Sequence, residues 1–275
     1  MNKKIGFILA LVLISLMMVG TASAGLFDFL GGNNANQTAN DNETFIVGFD
    51  AEFPPYGYKD ANGSYVGFDL DLAKEVCERN NWTFKAQPID WDAKDAELDS
   101  GSIDCIWNGF TIDGRENDYT WSKPYFDNKQ IFVVKSDSGI NSIADLKGKT
   151  VETQKDSSAL AALQGDNKTV ADTFGTLTEV ADYNTAFMDL ESGACQAVAM
   201  DIGVAEYDIS QKNNTADFKI LNESITTEKY GIGFKKGNDA LKDTVQTTLD
   251  EMFKDGTVLE IAQKYGISED ALIQG

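Results

Sequence analysis

Two junctions in this chain are built alike, and they limit the folds open to it. The segment ELDSG (97–101) leads into the apolar run Ile103, Cys105, Ile106, Trp107, which ends at Asn108-Gly109. The segment DLESG (189–193) leads into 196–200, which ends at Asp201. Each reads as a helix end, a Ser-Gly stop and a buried strand with a polar tip. Two halves built this way would aim both tips at one cleft. Open α/β sheets bind ligands just beyond the carboxyl ends of their strands. The plain alternative is a common helix-to-strand junction used twice.

The rest of the chain fits such halves. A strand is expected over 44–49, ending at Asp50. An irregular loop through Pro54-Pro55 and a hairpin turn at Ala61-Asn62-Gly63 follow. Asp69 is expected to cap a helix over 70–80, whose Leu70, Ala73, Val76 and Cys77 share one face. A strand over 83–87, a helix after Trp91 and the strand over 103–107 complete a β-α-β-α-β run, so the sheet should be mostly parallel. Strand and helix then alternate again from 130 to about 210. A strand over 230–234 and helices over 240–253 and 258–265 close the chain.

Residues 1–24 read as a secretory signal. Lys3 and Lys4 precede an apolar run over 5–19, and Ala22-Ser23-Ala24 is a small-residue cleavage pattern. That run is shorter than a spanning helix needs. Residues 25–43, rich in Asn and Gly, read as a flexible leader. Cleavage would remove two lysines and no acids, leaving 21 basic against 44 acidic residues, a net charge of -23. This charge argues against a nucleic-acid partner and against an anionic membrane surface. The chain has no histidine, which removes Ser-His and Cys-His catalysis and the commonest metal ligand. Its three cysteines, Cys77, Cys105 and Cys195, lack metal spacing. Buried free thiols are expected at Cys105 and Cys195, and a Cys77–Cys105 bridge is conceivable in an exported protein. No metal, cofactor or catalytic residue is expected. Gly148-Lys149-Thr150 is not a phosphate loop, because isoleucine stands at 143 where that motif needs glycine.

The chain has two arginines, Arg79 and Arg115. Arg115 falls just past the strand tip at Asn108-Gly109, where a guanidinium can take a carboxylate in bidentate fashion. A free amino acid needs a cation and donors for its carboxylate, and an anion and acceptors for its ammonium. Arg115, Thr111 and the backbone at Ser157-Ser158, opening a helix over 157–164, can supply the first set. Asp201, the Gly109 carbonyl and the Thr111 hydroxyl can supply the second. Phe53 and Trp91 follow strand ends and can wall a pocket, and Asp50 can meet a polar or cationic side-chain end. Each also has an ordinary reading: a surface arginine, a strand-end carboxylate, a helix cap or a core aromatic.

The run GFDAEFPPYGYKDANGSYVGFDLDLAKEV (48–76), then NGFTIDGR (108–115), DLKGKTVETQ (145–154), VAMD (198–201), YGIGFKKGNDALKD (230–243) and EMFKDGTVLEIAQKYG (251–266), resembles the extracellular amino-acid-binding proteins of ABC importers. The nearest types are those for glutamine and for histidine, lysine and arginine. The resemblance covers about 44–267. It implies a two-lobed α/β fold, the type II periplasmic-binding-protein-like fold, with two hinge crossovers. Lobe one would be 44–124 and 231–275, lobe two 130–225, and the hinge 125–129 and 226–230. It implies that a monomer captures a polar or cationic L-amino acid outside the cytoplasmic membrane and delivers it to permease subunits. Arg115 would pair the ligand carboxylate, with Thr111 and Gly109 beside it. Gln154 and Ser158 would face the ligand from lobe two, Asp201 would take the ammonium, and Asp50, Phe53 and Trp91 would hold the side chain. The chain departs from the pattern in four places, one being that the cysteine matching Cys77 is paired in some relatives and its partner is missing here. Arg115 follows Thr111 by four residues where five is usual, Asn108 stands where small residues are common, and Trp107 is bulky. Two other functions suit the same sequence. One is a dehydratase-like enzyme using Glu52 or Glu152, and the other is a ligand sensor read by a separate receptor.

Overall fold

A computed structural model describes residues 43–273; the expected signal and nearly all of the expected leader lie outside them. Two sheets carry the chain, and each has the same internal order. In the first, Thr44–Phe49 lies centrally, with Thr83–Pro88 parallel on one side and Cys105–Ile106 parallel on the other. Gly233–Phe234 then pairs antiparallel to Cys105–Ile106, and Thr120–Trp121 completes the edge. In the second, Thr150–Gln154 is flanked in parallel by Thr176–Val180 and Ala197–Asp201. The long strand Phe126–Lys135 pairs antiparallel to Ala197–Asp201 and also carries Phe218–Ile220 and Thr226–Tyr230. A small third sheet joins Glu52–Phe53, Gly57–Lys59 and Tyr65–Val66.

This order explains where a site can form. When the second strand of a run lies on one side of the first and the third on the other, the connecting helices diverge. A crevice opens between the carboxyl ends of the first and third strands. The first sheet places Asp50 and Asn108-Gly109 at that crevice. The second sheet places Gln154 and Asp201 at the equivalent one. The two like junctions produce the match. Gly101 and Gly193 both take the left-handed conformation, with φ of 78° and 84°. At each, the glycine N–H and the following N–H return to the last helical carbonyls: Gly101 to Leu98, Ser102 to Glu97, Gly193 to Leu190 and Ala194 to Asp189. Glycine enters this left-handed turn at the least backbone cost, which favours a helix stop at both positions.

The strands bury what their sequence predicts. Val47, Phe49, Cys105, Ile106 and Trp107 are sealed in the first sheet, and Val151, Val198, Ala199 and Met200 in the second. At roughly 1.5–3 kcal/mol for each large apolar side chain buried, this packing dominates the stability of the frame that holds the tips. All three cysteines are free and buried, so the Cys77–Cys105 bridge is not formed.

Three local expectations are corrected. Residues 230–234 are not one strand. Tyr230 ends a strand paired with Phe126 in the second sheet, whereas Gly233 lies between Ile106 and Trp121 in the first. Asp69 does not cap its helix. Phe68–Asn80 starts two residues earlier with Gly67 at the cap position, and no side chain caps it. The strand expected over 103–107 is reduced to Cys105–Ile106, although Ile103 and Trp107 are as buried as strand residues.

Candidate functional site

The tips of both sheets meet around one narrow cavity of about 20 Å³. Phe53, Trp91, Asn108, Gly109, Thr111 and Arg115 line it from the first sheet. Gln154, Ser157, Ser158 and Asp201 line it from the second. Ten of the eleven residues singled out in the sequence therefore meet at one place.

The eleventh, Asp50, stands one layer back. Its Oδ1 accepts from the Glu52 N–H at 2.8 Å, and its Oδ2 accepts from Gln154 Nε2 at 2.6 Å. Burial raises its pKa to about 6, against the two hydrogen bonds that pull it down. Gln154 thus touches the cavity with its amide already oriented by Asp50 and by the Ala181 carbonyl, to which it donates at 3.1 Å.

Arg115 is held without a carboxylate partner among the ion pairs of the described residues. One Nη donates to the Thr111 carbonyl at 3.3 Å and the other to the Asp156 carbonyl at 3.1 Å. Its guanidinium lies 5.2 Å over the Phe110 ring, and Phe110 meets Trp91 edge-on at 5.5 Å. The short four-residue spacing from Thr111 therefore still brings Arg115 to the cavity. The turn folds the side chain back onto its own loop. Phe110 and Asp156 take part in this, and nothing in the sequence marked them.

Asp201 closes the opposite end. Its Oδ1 accepts from Asn128 Nδ2 at 2.7 Å, Gln130 Nε2 at 2.8 Å and the Tyr230 hydroxyl at 2.5 Å. Three donors saturate that oxygen. Among the described residues no N–H or hydroxyl donor engages Oδ2, and the Glu228 carboxyl stands within hydrogen-bond reach of the Asp201 carboxyl. Burial first, and the neighbouring Glu228 charge second, push the Asp201 pKa well above the carboxylate range.

The two serines are already committed. Ser157 Oγ caps the helix Ser158–Gln164 by accepting from the Leu160 N–H at 3.1 Å. Ser158 Oγ donates to Glu228 Oε2. Donation to an anion from this corner thus falls to the backbone rather than the hydroxyls.

Asp69 fixes the first tip. Its Oδ2 accepts from the Gly109 N–H at 2.6 Å and its Oδ1 from the Tyr125 hydroxyl at 2.8 Å, while burial raises its pKa to about 7. Gly109 itself has φ of +58°, and a Cβ there would meet Phe53 Cε1 at 2.9 Å. The carboxylate read as a cap is therefore the anchor of the loop, 40 residues away in sequence. Glu52 and Glu152, the candidates for an enzymatic acid, do not line the cavity. Glu52 bonds Asn184 at the surface, and Glu152 is buried within its strand.

Further contacts join the rims. Lys94, only 2% exposed, pairs with Asp156, and Lys155 Nζ lies 3.3 Å from Asp92. Lys94 also lies 5.2 Å over the Trp91 ring. Arg115 from the first sheet and Asp201 from the second are the cation and the carboxylate that line this narrow chamber among the described residues. It suits a molecule that carries both charges.

The chain belongs to the bacterial extracellular solute-binding proteins, family 3, whose model matches residues 45–268. It is 31% identical over 251 residues to a probable histidine-binding protein of Neisseria gonorrhoeae, covering 87% of this chain and 89% of that one. It is 29% identical over 229 residues to the L-cystine-binding protein TcyJ of Escherichia coli (strain K12), covering 81% and 82%. Among solved structures it is similar to an ABC uptake transporter substrate-binding protein from Streptococcus pneumoniae with bound histidine. The TM-score is 0.78 and the identity 33%, covering 81% of this chain and 92% of that one. The fold class is the expected one, an α/β chain of the type II periplasmic-binding-protein kind. No described helix is long and apolar enough to cross a membrane.

Proposed function

We propose that this protein captures a polar or cationic L-amino acid in the chamber between its two sheets and delivers it to an ABC importer. The observation that carries the reading is the opposed pair, Arg115 on the first tip and Asp201 on the second, across one cavity. A zwitterion placed there sets its carboxylate on Arg115 and its ammonium on Asp201. Phe53 and Trp91 wall the space left for the side chain, and Gln154 and Asn108 offer it amides. Among the lining residues Arg115 and Asp201 balance, while Asp50 and Glu228 stand just behind and the nearby Lys94 is paired with Asp156, so the unpaired surroundings are acidic and suit a cationic side chain.

Relatives named for histidine and cystine support this range of ligands. In this reading, lobes at 44–124 with 231–275 and at 130–225 close over the ligand about 125–129 and 226–230. The closed form docks on permease subunits outside the cytoplasmic membrane as a monomer, and no reaction is catalysed. Calorimetry against the twenty amino acids and cystine tests the proposal. Saturable binding of at least one polar or cationic amino acid is expected. A folded sample that binds none of them overturns it.

A further inference from the structure

Behind the cavity, two buried carboxylates share the same hydrogen bonds. Asp201 stands at its strand tip and Glu228 in the returning strand Thr226–Tyr230, each 4% exposed. Asn128 Nδ2 donates to Asp201 Oδ1 at 2.7 Å and to Glu228 Oε1 at 2.8 Å. Gln130 Nε2 donates to the same two oxygens at 2.8 and 2.7 Å. The amide nitrogens of Asn128 and Gln130 face the acids, and their amide oxygens are buried without partners among the described residues. The amides supply donors but no charge. No ion pair of the described residues includes either acid.

The groups around the pair do not neutralise it. Tyr56, Tyr183 and Tyr230 face it, and burial, then the Asp201 charge, holds each hydroxyl protonated well above its ordinary range. Asp69 and Glu206 lie behind Tyr56 and are acidic too. Arg115 is the one cation lining the same cavity. Two carboxylates this close cannot both ionise cheaply in a buried site, so the empty chamber favours one proton between them. The upward shift of Asp201 agrees. Glu228 also takes the only hydroxyl proton of Ser158, so Ser158 Oγ presents lone pairs to the cavity. The side chains of Asp201 and Ser158 therefore meet an ammonium as acceptors once the shared proton has left.

We propose that Glu228 is a positioning residue for the ligand's ammonium, and that the Asp201–Glu228 pair gives up a shared proton to solvent when that ammonium docks. The inference rests on the amino-acid reading of the site. The ligand brings its own cation, the O–H bond of the shared proton breaks, and the proton passes to bulk buffer. Affinity then rises with pH while the pair still holds the proton, by about tenfold per pH unit for one full proton. The variant Glu228→Gln keeps the shape, and its amide oxygen still accepts from Asn128 and Gln130. It removes the second charge and leaves burial alone to hold the proton, so Asp201 is more fully ionised before the ligand arrives.

The test is calorimetry of the mature chain with arginine or lysine, whose charges do not change near neutrality, in phosphate and in Tris at pH 7. The buffer dependence of the heat counts protons. The wild type is expected to release a few tenths to one proton per ligand. Glu228→Gln is expected to bind with clearly fewer protons released and with affinity that depends less steeply on pH from 6 to 8. A wild type that exchanges no proton, or a binding-competent variant that releases as many, overturns the inference. Should the variant not fold, the wild-type pH series decides, and flat affinity over that range overturns it. If arginine and lysine fail but another amino acid binds, that ligand replaces them. If none binds, the broader reading falls as well.

Discussion

Replacing Arg115 by alanine separates its role in binding from its role in folding. In the folded chain two of its N–H groups go to the Thr111 and Asp156 carbonyls, and its face covers Phe110. A guanidinium has five N–H donors, so three remain for a ligand carboxylate. Truncation leaves that carboxylate against Phe110 and Trp91 with no cation lining the chamber. Removing one partner of a buried, hydrogen-bonded charge pair costs about 2–5 kcal/mol, which weakens binding by roughly 30-fold to several thousandfold. The folding cost is smaller. Two half-exposed hydrogen bonds and one cation–π contact sum to about 1–2 kcal/mol. Calorimetry gives the first quantity and denaturant melts of the unliganded protein give the second. Arg115→Lys keeps the charge but loses the fork, and should recover only part of the affinity. If Arg115→Ala binds within threefold of wild type while folding normally, Arg115 does not hold the ligand and the chamber has been read in the wrong direction.

Gly109→Ala should lose about 1–2 kcal/mol of stability, from the left-handed backbone and the close approach to Phe53, and should weaken ligand binding in the same titration. Lys94→Met keeps the buried stem of Lys94 but removes its pairing with Asp156 across the rim. Ligand affinity should fall about two- to tenfold, since the partner is half exposed, and should become less sensitive to salt. The acids give a stability profile with a definite sign. Asp50 and Asp69 have folded pKa values raised to about 6 and about 7, so between pH 4 and 7 the folded state holds protons that the unfolded state has lost. Stability of the unliganded protein should therefore fall as pH rises from 5 to 7.5. Thermal melts in which stability rises over that interval would contradict the burial of these carboxylates.

Much of the fold was legible because the pattern is local. The helix–Ser-Gly–strand junctions depend on residues within one turn of Gly101 and Gly193, and both formed as read. The site followed from the same logic, since strand tips at a crossover point must meet. What escaped is long-range. Asp69 looks like a cap because aspartate near a helix start usually is one, and its bond to Gly109 requires the folded sheet. Glu228, Asn128 and Gln130 lie on strands whose alternation is ordinary. Their convergence on Asp201 depends on the antiparallel register of Phe126–Lys135 with both neighbours, which no single segment encodes. The 230–234 run reads as continuous because both its ends are apolar and buried. Only the pairing partners show that the chain changes sheets within it.

A structure with a bound amino acid tests the central claim most directly. The account predicts the ligand carboxylate within hydrogen-bond reach of Arg115 and its ammonium on Asp201, with the side chain between Phe53 and Trp91. A ligand bound in the reverse sense, or one that leaves Arg115 and Asp201 untouched, would contradict it.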